Sequence, residues 1–301
     1  MDRYKKIIKS KKLRFKIIKL FSHIPDKTML EVQYRIKLKR HLNLENPQRF
    51  TEKIQWYKLH YKDPLMAKCA DKYLAREYVE SKGLGFILNE LYAVFDSPDK
   101  IDISALPDEF VLKLSNGSGT NLICRDKSAL DNESVRKKFK DFVEQSATLA
   151  GREWVYGKYP PSIIAEKLLK DPLYKDGVPT DYKIFCFNGK PEYISCVLGR
   201  YTERSNHLYY NTKWEKINVV TEDGDIEKDA PKPENLDKML AVAACLSADF
   251  PFARIDLYSL EGKIYFGEIT FYPWSGYMVC NPDSFDFELG KHFELPEKKE
   301  D

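Results

Sequence analysis

The chain has 301 residues, of which 43% are hydrophobic and 32% charged, and a formal net charge of +3. That is the composition of a soluble globular protein of one large domain or a few subdomains around a cleft. No run approaches the roughly 20 apolar residues that cross a bilayer, so membrane-spanning function classes are excluded.

The charge is unevenly placed. Residues 1–40 carry fourteen Lys and Arg against Asp2, Asp26 and Glu31, and the remainder is net acidic. A basic arm facing an anionic partner is expected. Nucleic acid is not, because the arm has few interleaved aromatics. Lys and Arg recur through Lys19, so no clean apolar segment marks a signal peptide. A cytoplasmic protein is expected, with peripheral contact at the inner membrane face through residues 3–21. That segment reads as an amphipathic helix, with Tyr4, Ile7, Ile8, Phe15 and Ile18 on one half and five lysines on the other. Contact with an anionic surface and packing on the protein body both remain open for it.

Residues 28–45 read as a second basic helix, ended by the turn at Asn46-Pro47. Thr51–His60 reads as a helix with Thr51 as its cap. Another starts at Asp63-Pro64 and runs to Gly83 and Gly85. Pro98 and Pro107 frame a loop-rich stretch. Strands follow at Phe110–Leu114 and Leu122–Cys124, a helix at 130–150, and a strand at Ile163–Leu169. Asn188-Gly189 between Tyr182–Phe187 and Glu192–Leu198 signals a hairpin. A helix at 234–248 precedes a second hairpin, Phe252–Ser259 with Lys263–Phe271. Six scattered cysteines form no CxxC pair and read as small buried hydrophobes in a reducing compartment.

Four motifs carry chemistry. Lys113 stands on an apolar strand just before Asn116-Gly117-Ser118-Gly119-Thr120, a loop able to fold over phosphate oxygens. The lysine precedes the loop and no Gly-Lys-Ser/Thr follows, so this is not the Walker pattern. A snorkelling lysine beside a hairpin turn serves the same residues. Arg254, Asp256, Glu268 and Thr270 lie on paired strands, and a spacing of two keeps each pair on one face. A three-residue turn, Leu260-Glu261-Gly262, would make Asp256 and Glu268 diagonal neighbours on a shared face; a two-residue turn would oppose them. On the shared face they suit Mg²⁺, which takes a few carboxylate oxygens with nucleotide phosphates. Asp181 and Lys183 share a face, for phosphate neutralisation or as an exposed ion pair. Glu166-Lys167-Leu168-Leu169 ends a strand whose backbone can meet a base edge.

Taken in order, these parts resemble an ATP-grasp enzyme. More narrowly, the chain resembles the teichuronopeptide-biosynthesis (TupA-like) ATP-grasp family. The resemblance rests on Phe50–Trp56, Ala70-Asp71-Lys72-Tyr73, Arg76–Val79, Phe110–Lys113, Gly117-Ser118-Gly119, Asp181-Tyr182-Lys183, Arg254–Tyr258 and Gly267–Pro273, and covers about residues 46–285. ATP-grasp enzymes at large usually carry Asn where Thr270 stands.

The resemblance implies an α+β fold of two lobes whose antiparallel sheets grip ATP. It divides the chain into a basic helical region 1–45, a helical pre-ATP-grasp or substrate region 46–108, a small lobe 109–165, a large lobe 166–290 with the Mg-ATP site and a charged tail 291–301. It implies that Lys113 and residues 116–120 bind phosphate, with Asp181 and Lys183 at the nucleotide. Glu166 through Leu169 would meet adenine, and Asp256, Glu268 and Thr270 would hold Mg²⁺. Arg254 and Lys183 would stabilise the transferred phosphoryl group. The implied reaction joins a carboxylate to an amine through an acyl-phosphate, with a uronic acid or anionic glycan and an amino acid as partners in surface-polymer synthesis. Trp154, Tyr156, Tyr159, Tyr201, Tyr209 and Tyr210 suit a glycan surface or strand packing. The alternatives are a glycosyltransferase of polysaccharide assembly, for which no Asp-x-Asp dyad after an apolar strand is present, and a non-catalytic nucleotide-binding scaffold.

Overall fold

A computed structural model describes residues 21, 23–146, 150–172, 177–198, 206–221 and 227–299. Apart from Phe21, the basic segment 3–21 lies outside them, as does Tyr201. The helical region opens with α1 (Asp26–Leu38), α2 (Phe50–His60), α3 (Pro64–Ala70) and α4 (Ala75–Ser81). Helix α1 stops seven residues before its expected end, where Lys39 takes a left-handed conformation at φ 60°. Thr51 does not cap α2. Its N–H and hydroxyl both donate to the buried Asp286 carboxylate, at 2.9 and 2.8 Å. Glu52 turns back instead to accept from the N–H groups of Gln48 and Arg49. The long helix expected from Asp63 is two helices broken at Asp71, whose φ and ψ are extended. The Asp71 carboxylate accepts from the N–H of Tyr73 and Leu74, which starts α4.

A four-stranded antiparallel sheet follows, ordered β1-β4-β2-β3, from β1 (Leu91–Phe95), β2 (Phe110–Leu114), β3 (Asn121–Cys124) and β4 (Ile163–Glu166). Helix α5 (Asn132–Ser146) buries Val135 and Phe139 against it, in a core with Phe110, Leu112 and Ile163. The alternating burial of β2 is that of a sheet with one face in this core.

The larger sheet is antiparallel and six-stranded, ordered β11-β10-β5-β6-β7-β8. Its members are β5 (Asp181–Phe187), β6 (Lys190–Leu198), β7 (Asn206–Asn211), β8 (Lys216–Ile217), β10 (Phe252–Leu260) and β11 (Lys263–Thr270). A short pair, β9 (Val220–Thr221) with β12 (Cys280–Asn281), stands apart. The Asn188-Gly189 turn forms as expected, with φ of 48° and 75°. Every residue of β5 is buried, which places that strand at the centre. One face carries α6 (Leu236–Ser247). The other meets α2, whose Phe50 is fully buried among Phe185, Phe187, Phe252 and Phe293.

Helix α7 (Ser284–His292) crosses α2 closely at Gly290, where a Cβ would come within 2.9 Å of Phe50 N. Beyond it the charged tail returns to α2: Lys299 N–H donates to His60 O, and its carbonyl accepts from Lys62 N–H, both at 2.7 Å. Tyr209 and Tyr210 are core residues, the second stacked on Trp214 at 4.3 Å. All six cysteines are free and five are buried, and burial pushes the thiols of Cys69 and Cys186 up to about 12. Among the described residues no helix is long and apolar enough to cross a membrane.

Candidate active site

Strands β11, β10 and β5 set one row of charge across the large sheet: Glu268, Asp256 and Lys183 are direct cross-strand partners. The route to this register differs from the expected one. The turn of the hairpin has two residues, Glu261 and Gly262, both left-handed, and Leu260 pairs with Lys263. Such a turn alone would pair Asp256 with residue 267 and put Glu268 on the opposite face. A bulge at Gly267 supplies the missing step. A Cβ there would meet Asp256 O at 2.8 Å, so the close approach requires glycine.

Two residues along β10, Arg254 forks onto Asp256, with Nε to Oδ1 and Nη2 to Oδ2 both at 2.7 Å. It also donates to Thr270 Oγ1 at 3.2 Å and lies 3.6 Å from Glu268. Lys183 pairs with Asp181 at 2.8 Å and with Asp256. None of these four groups is exposed: Asp181 0%, Asp256 2%, Lys183 6% and Arg254 7%. The Asp181–Lys183 pair is therefore not a surface ion pair. Burial works against the Arg254 charge, but Asp256 more than restores it and the guanidinium is held above its ordinary value. Burial pushes the Asp256 carboxyl up, with Arg254 and Lys183 pulling it back. Two acids and two bases thus compensate each other away from water, the condition under which buried charges persist.

Glu268 is balanced from elsewhere. Lys72, at the break between α3 and α4, lies 3.0 Å from its carboxylate and donates to Gly117 O at 2.8 Å. The glycine loop is tied to the same break: Ser115 Oγ donates to Asp71 at 2.5 Å, and Lys72 N–H to Ser115 O at 2.8 Å. Asn116 donates to Tyr156 O at 3.0 Å. Asn116 Oδ1 and Thr120 Oγ1 are buried with no partner among the described residues. A Cβ on Gly117 would collide with that Thr120 hydroxyl. The loop therefore carries an unspent hydroxyl beneath its own backbone, a feature that fits a phosphate.

Lys113 lies apart from this loop. It pairs with Glu166 at 2.7 Å, with Arg76 3.7 Å from the same carboxylate. Lys113 and Glu166, together with Val111, Ile123, Leu168, Leu169, Tyr258 and Phe266, line a cavity of about 100 Å³ between the two sheets. Strand β4 ends at Glu166, and the backbone of Lys167 is already engaged, its N–H by Glu90 O and its carbonyl by Asn89. Of the run expected at a base edge, Leu168 and Leu169 follow these engaged groups and line the cavity.

A larger cavity of about 660 Å³ lies over the charged row, within the size range of ligand sites. Asn116, Gly117, Ser118, Thr120, Lys183, Arg254, Glu268 and Thr270 line it, with Lys72, Glu153, Tyr156, His207, Tyr272 and Trp274. Asp181 and Asp256 sit behind this surface. Of the second group, Tyr156 was expected as a glycan-facing aromatic, and Lys72 and Tyr272 lie in runs that carry the family resemblance, but no role was assigned to Lys72 or Tyr272, and Glu153, His207 and Trp274 were missed. Nothing local ties the Ala-Asp-Lys-Tyr run to a strand about 200 residues away.

One wall is a left-handed turn, Trp274-Ser275-Gly276, at φ 50°, 55° and 67°. Left-handed backbone costs a non-glycine residue roughly 1–2 kcal/mol. Helix α2 holds the turn in place. Lys58 Nζ donates to Ser275 O, Ser275 Oγ and Gly151 O at 2.8–3.0 Å, and Gln55 Nε2 to Ser275 O and Gly276 O. Burial pulls Lys58 down to about 7, opposed by Glu153 and assisted by Lys37.

Two antiparallel sheets that share a cavity, a glycine loop on one and a charged row on the other, are the layout of an ATP-grasp fold. The TupA-like ATP-grasp profile matches residues 52–294, and the chain belongs to that family. No curated protein matches it in sequence. Among solved structures it is similar to a D-alanine–D-alanine ligase from Bacillus anthracis complexed with ATP, at 12% identity and TM-score 0.38, over 67% of this chain and 53% of that one. It is also similar to an L-amino acid ligase from Bacillus licheniformis, at 16% and 0.41, over 69% and 42%. A D-cycloserine synthetase matches at 14% and 0.42, over 77% and 72%. The chain spans about half the length of the first two.

Proposed function

We propose that the chain is an ATP-dependent carboxylate–amine ligase working through an acyl-phosphate. The carboxylate is that of a uronic acid or acidic polymer, the amine that of an amino acid, and the product belongs to surface-polymer synthesis. The observation that carries the reading is the in-register row Glu268–Asp256–Lys183, with Arg254 forked onto it, beneath a glycine loop whose Thr120 hydroxyl is unspent.

On this reading adenine enters the 100 Å³ cavity, against Leu168 and Leu169, with Lys113 and Glu166 at its edge. Residues 116–120 and Lys72 enclose the phosphates, and Arg254 and Lys183 face them from the sheet. Mg²⁺ takes one or two carboxylates and keeps phosphate or water for the rest, and when bound it offsets phosphate charge. Glu268, 25% exposed and facing the cavity, fits that role, with Thr270 beside it. Asp256 has both oxygens committed to Arg254, which makes it the anchor of that guanidinium. Arg254 then meets the charge that builds on the transferred phosphoryl group, a mainly electrostatic contribution. The aromatic wall of Tyr156, Tyr272 and Trp274 excludes the water that would hydrolyse an acyl-phosphate.

The test is phosphate release from Mg-ATP by the full chain, supplied with uronic-acid glycans and amino acids in pairs. The expected result is ADP and phosphate that require both a carboxylate and an amine, with turnover lowered at least about 100-fold in Glu268→Gln. Turnover without any amine would point to a kinase. No nucleotide binding under any pairing would overturn the reading in favour of glycosyl transfer or scaffolding.

A further inference from the structure

Of the charged groups lining the large cavity, Lys72, Lys183, Arg254 and Glu268 are all held in ion pairs. Glu153 is the exception. Its carboxylate lines the cavity and has no hydrogen bond or ion pair among the described residues. The nearby ammonium of Lys58 does not serve it, because an ammonium has three protons and those of Lys58 go to Ser275 O, Ser275 Oγ and Gly151 O.

Local geometry keeps the Glu153 carboxylate inside. Arg152, at φ 55°, reaches the other way, to Asp26 and to Phe21 O, and anchors the segment on the basic region. Gly151 leaves the room: a Cβ there would collide with Ser275 Oγ and come within 3.0 Å of Glu153 Oε1. The surroundings are aromatic. Tyr156, Tyr272 and Trp274 share the wall. Burial, with the negative charge of Glu153 adding to it, pushes the phenols of Tyr156 and Tyr272 well up, so both stay neutral. Tyr156 feels Glu153 together with Glu268, Arg254 and Asp256, and Glu153 shares the cavity with Glu268 and Arg254.

An unpaired carboxylate among aromatic faces is a receptor for an organic cation, combining a charge-assisted hydrogen bond with cation–π attraction. We propose that Glu153 is the ammonium receptor of the acceptor subsite, binding the primary amine substrate in its protonated form. This rests on the ligase reading above and assigns one end of its cavity. The carboxylate substrate, being anionic, is drawn to the Lys72, Lys183 and Arg254 end and kept from Glu153, so the two substrates are sorted by charge. The same chemistry is offered by a free amino acid and by an amino sugar.

The experiment is ligand binding by the full chain, read by saturation-transfer NMR and calorimetry, with and without Mg-ADP. The probes are the twenty free amino acids and glucosamine, followed by the N-acetyl counterpart of each binder. The expected result is that at least one primary amine binds and that N-acetylation weakens it at least tenfold. Glu153→Gln weakens it to the same degree and Glu153→Asp less, at an unchanged melting temperature. Binding by amino acids alone or by glucosamine alone names the source. The proposal is overturned if no primary amine binds the wild type, if N-acetyl forms bind as well, or if Glu153→Gln binds as the wild type does. No turnover is read, so a failed ligase assay leaves the result standing. Ligase turnover whose amine KM is unmoved in Glu153→Gln overturns this assignment alone.

Discussion

Arg254 and Lys58 are both cations taken out of water, and they are stabilised in opposite ways. Arg254 meets a carboxylate fork, whereas Lys58 meets only carbonyls, a hydroxyl and the rings of Tyr272 and Tyr277. The first is therefore held charged and the second is drawn down to about 7. For Lys58 the folded pKa lies below the unfolded value of about 10, so between about pH 7 and 10 the unfolded chain holds more protons. Stability from this residue rises with pH across that window and is level below it. Urea denaturation should show the wild type gaining about 2 kcal/mol on Lys58→Met between pH 7 and pH 9. Lys72 makes the second prediction at this scale. It joins the glycine loop to Glu268, so Lys72→Met should weaken binding of a fluorescent ATP analogue about tenfold with little change in melting temperature. In the sequence, Arg254 with Asp256 and Asp181 with Lys183 were legible as same-face pairs, because strand periodicity fixes that much. Their burial was not, since it depends on what packs over them.

The hairpin of β10 and β11 is the element on which the site depends. Both strands were legible from their apolar, β-branched and aromatic runs. The register between them was not, because one residue can be absorbed in the turn or in the strand and the sequence looks alike either way. Gly267→Ala tests the strand solution. Its methyl would press on Asp256 O at 2.8 Å and force the two strands apart at the row. The expected loss is roughly 1–3 kcal/mol of stability, with a disproportionate fall in nucleotide affinity. Gly262→Ala at the turn tip meets no atom within 4 Å and acts only through its left-handed φ of 74°. It should cost about 1 kcal/mol and spare nucleotide affinity. Thermal melts and nucleotide titrations of the two variants separate the effects. Two other boundaries were drawn too long where neither proline nor glycine marks the break. The helix from Asp63 breaks where the Asp71 carboxylate caps a new helix through the N–H groups of Tyr73 and Leu74, and the strand from Ile163 ends where tertiary hydrogen bonds with Glu90 and Asn89 take up Lys167.

Among the described residues two large hydrophobic cores lie one under each sheet, with α2 to α4 in the larger, and Tyr34 and Leu38 of α1 form a small third cluster with Tyr277. Phe50 is the keystone of the larger core, touching rings from β5, β10 and the segment after α7. Phe50→Ala should cost about 3–5 kcal/mol in a denaturant melt and loosen the charged row, since Phe185 and Phe252 flank Arg254 in the sheet. At this scale the α+β class and the gripping sheets were what the family resemblance, carried by the order of motifs, implied. The helical region 46–108 was expected to be a substrate region, but which of its residues approach the cavities did not follow. Lys72 lines the large cavity, while Lys58 and Arg76 hold the cavity-lining residues Ser275 and Glu166, because α2 to α4 pack across the large sheet, and a contact over that separation leaves no local pattern. Strand β1 was overlooked for a similar reason: five residues between turns form a strand only because Ile163–Glu166 is there to pair with.

The bulge at Gly267 also works as a ruler. Had the extra residue been taken up in the turn, Asp256 and Glu268 would still face the same way but as diagonal neighbours, with Cβ atoms about 7–8 Å apart. Taken up in the strand, it sets them squarely opposite, at about 4.5–5.5 Å. The difference, roughly 2–3 Å, separates two carboxylates that share one guanidinium, that of Arg254, from two that act independently. Counting residues between the two acids reveals their shared face; only the position of the odd residue reveals their distance.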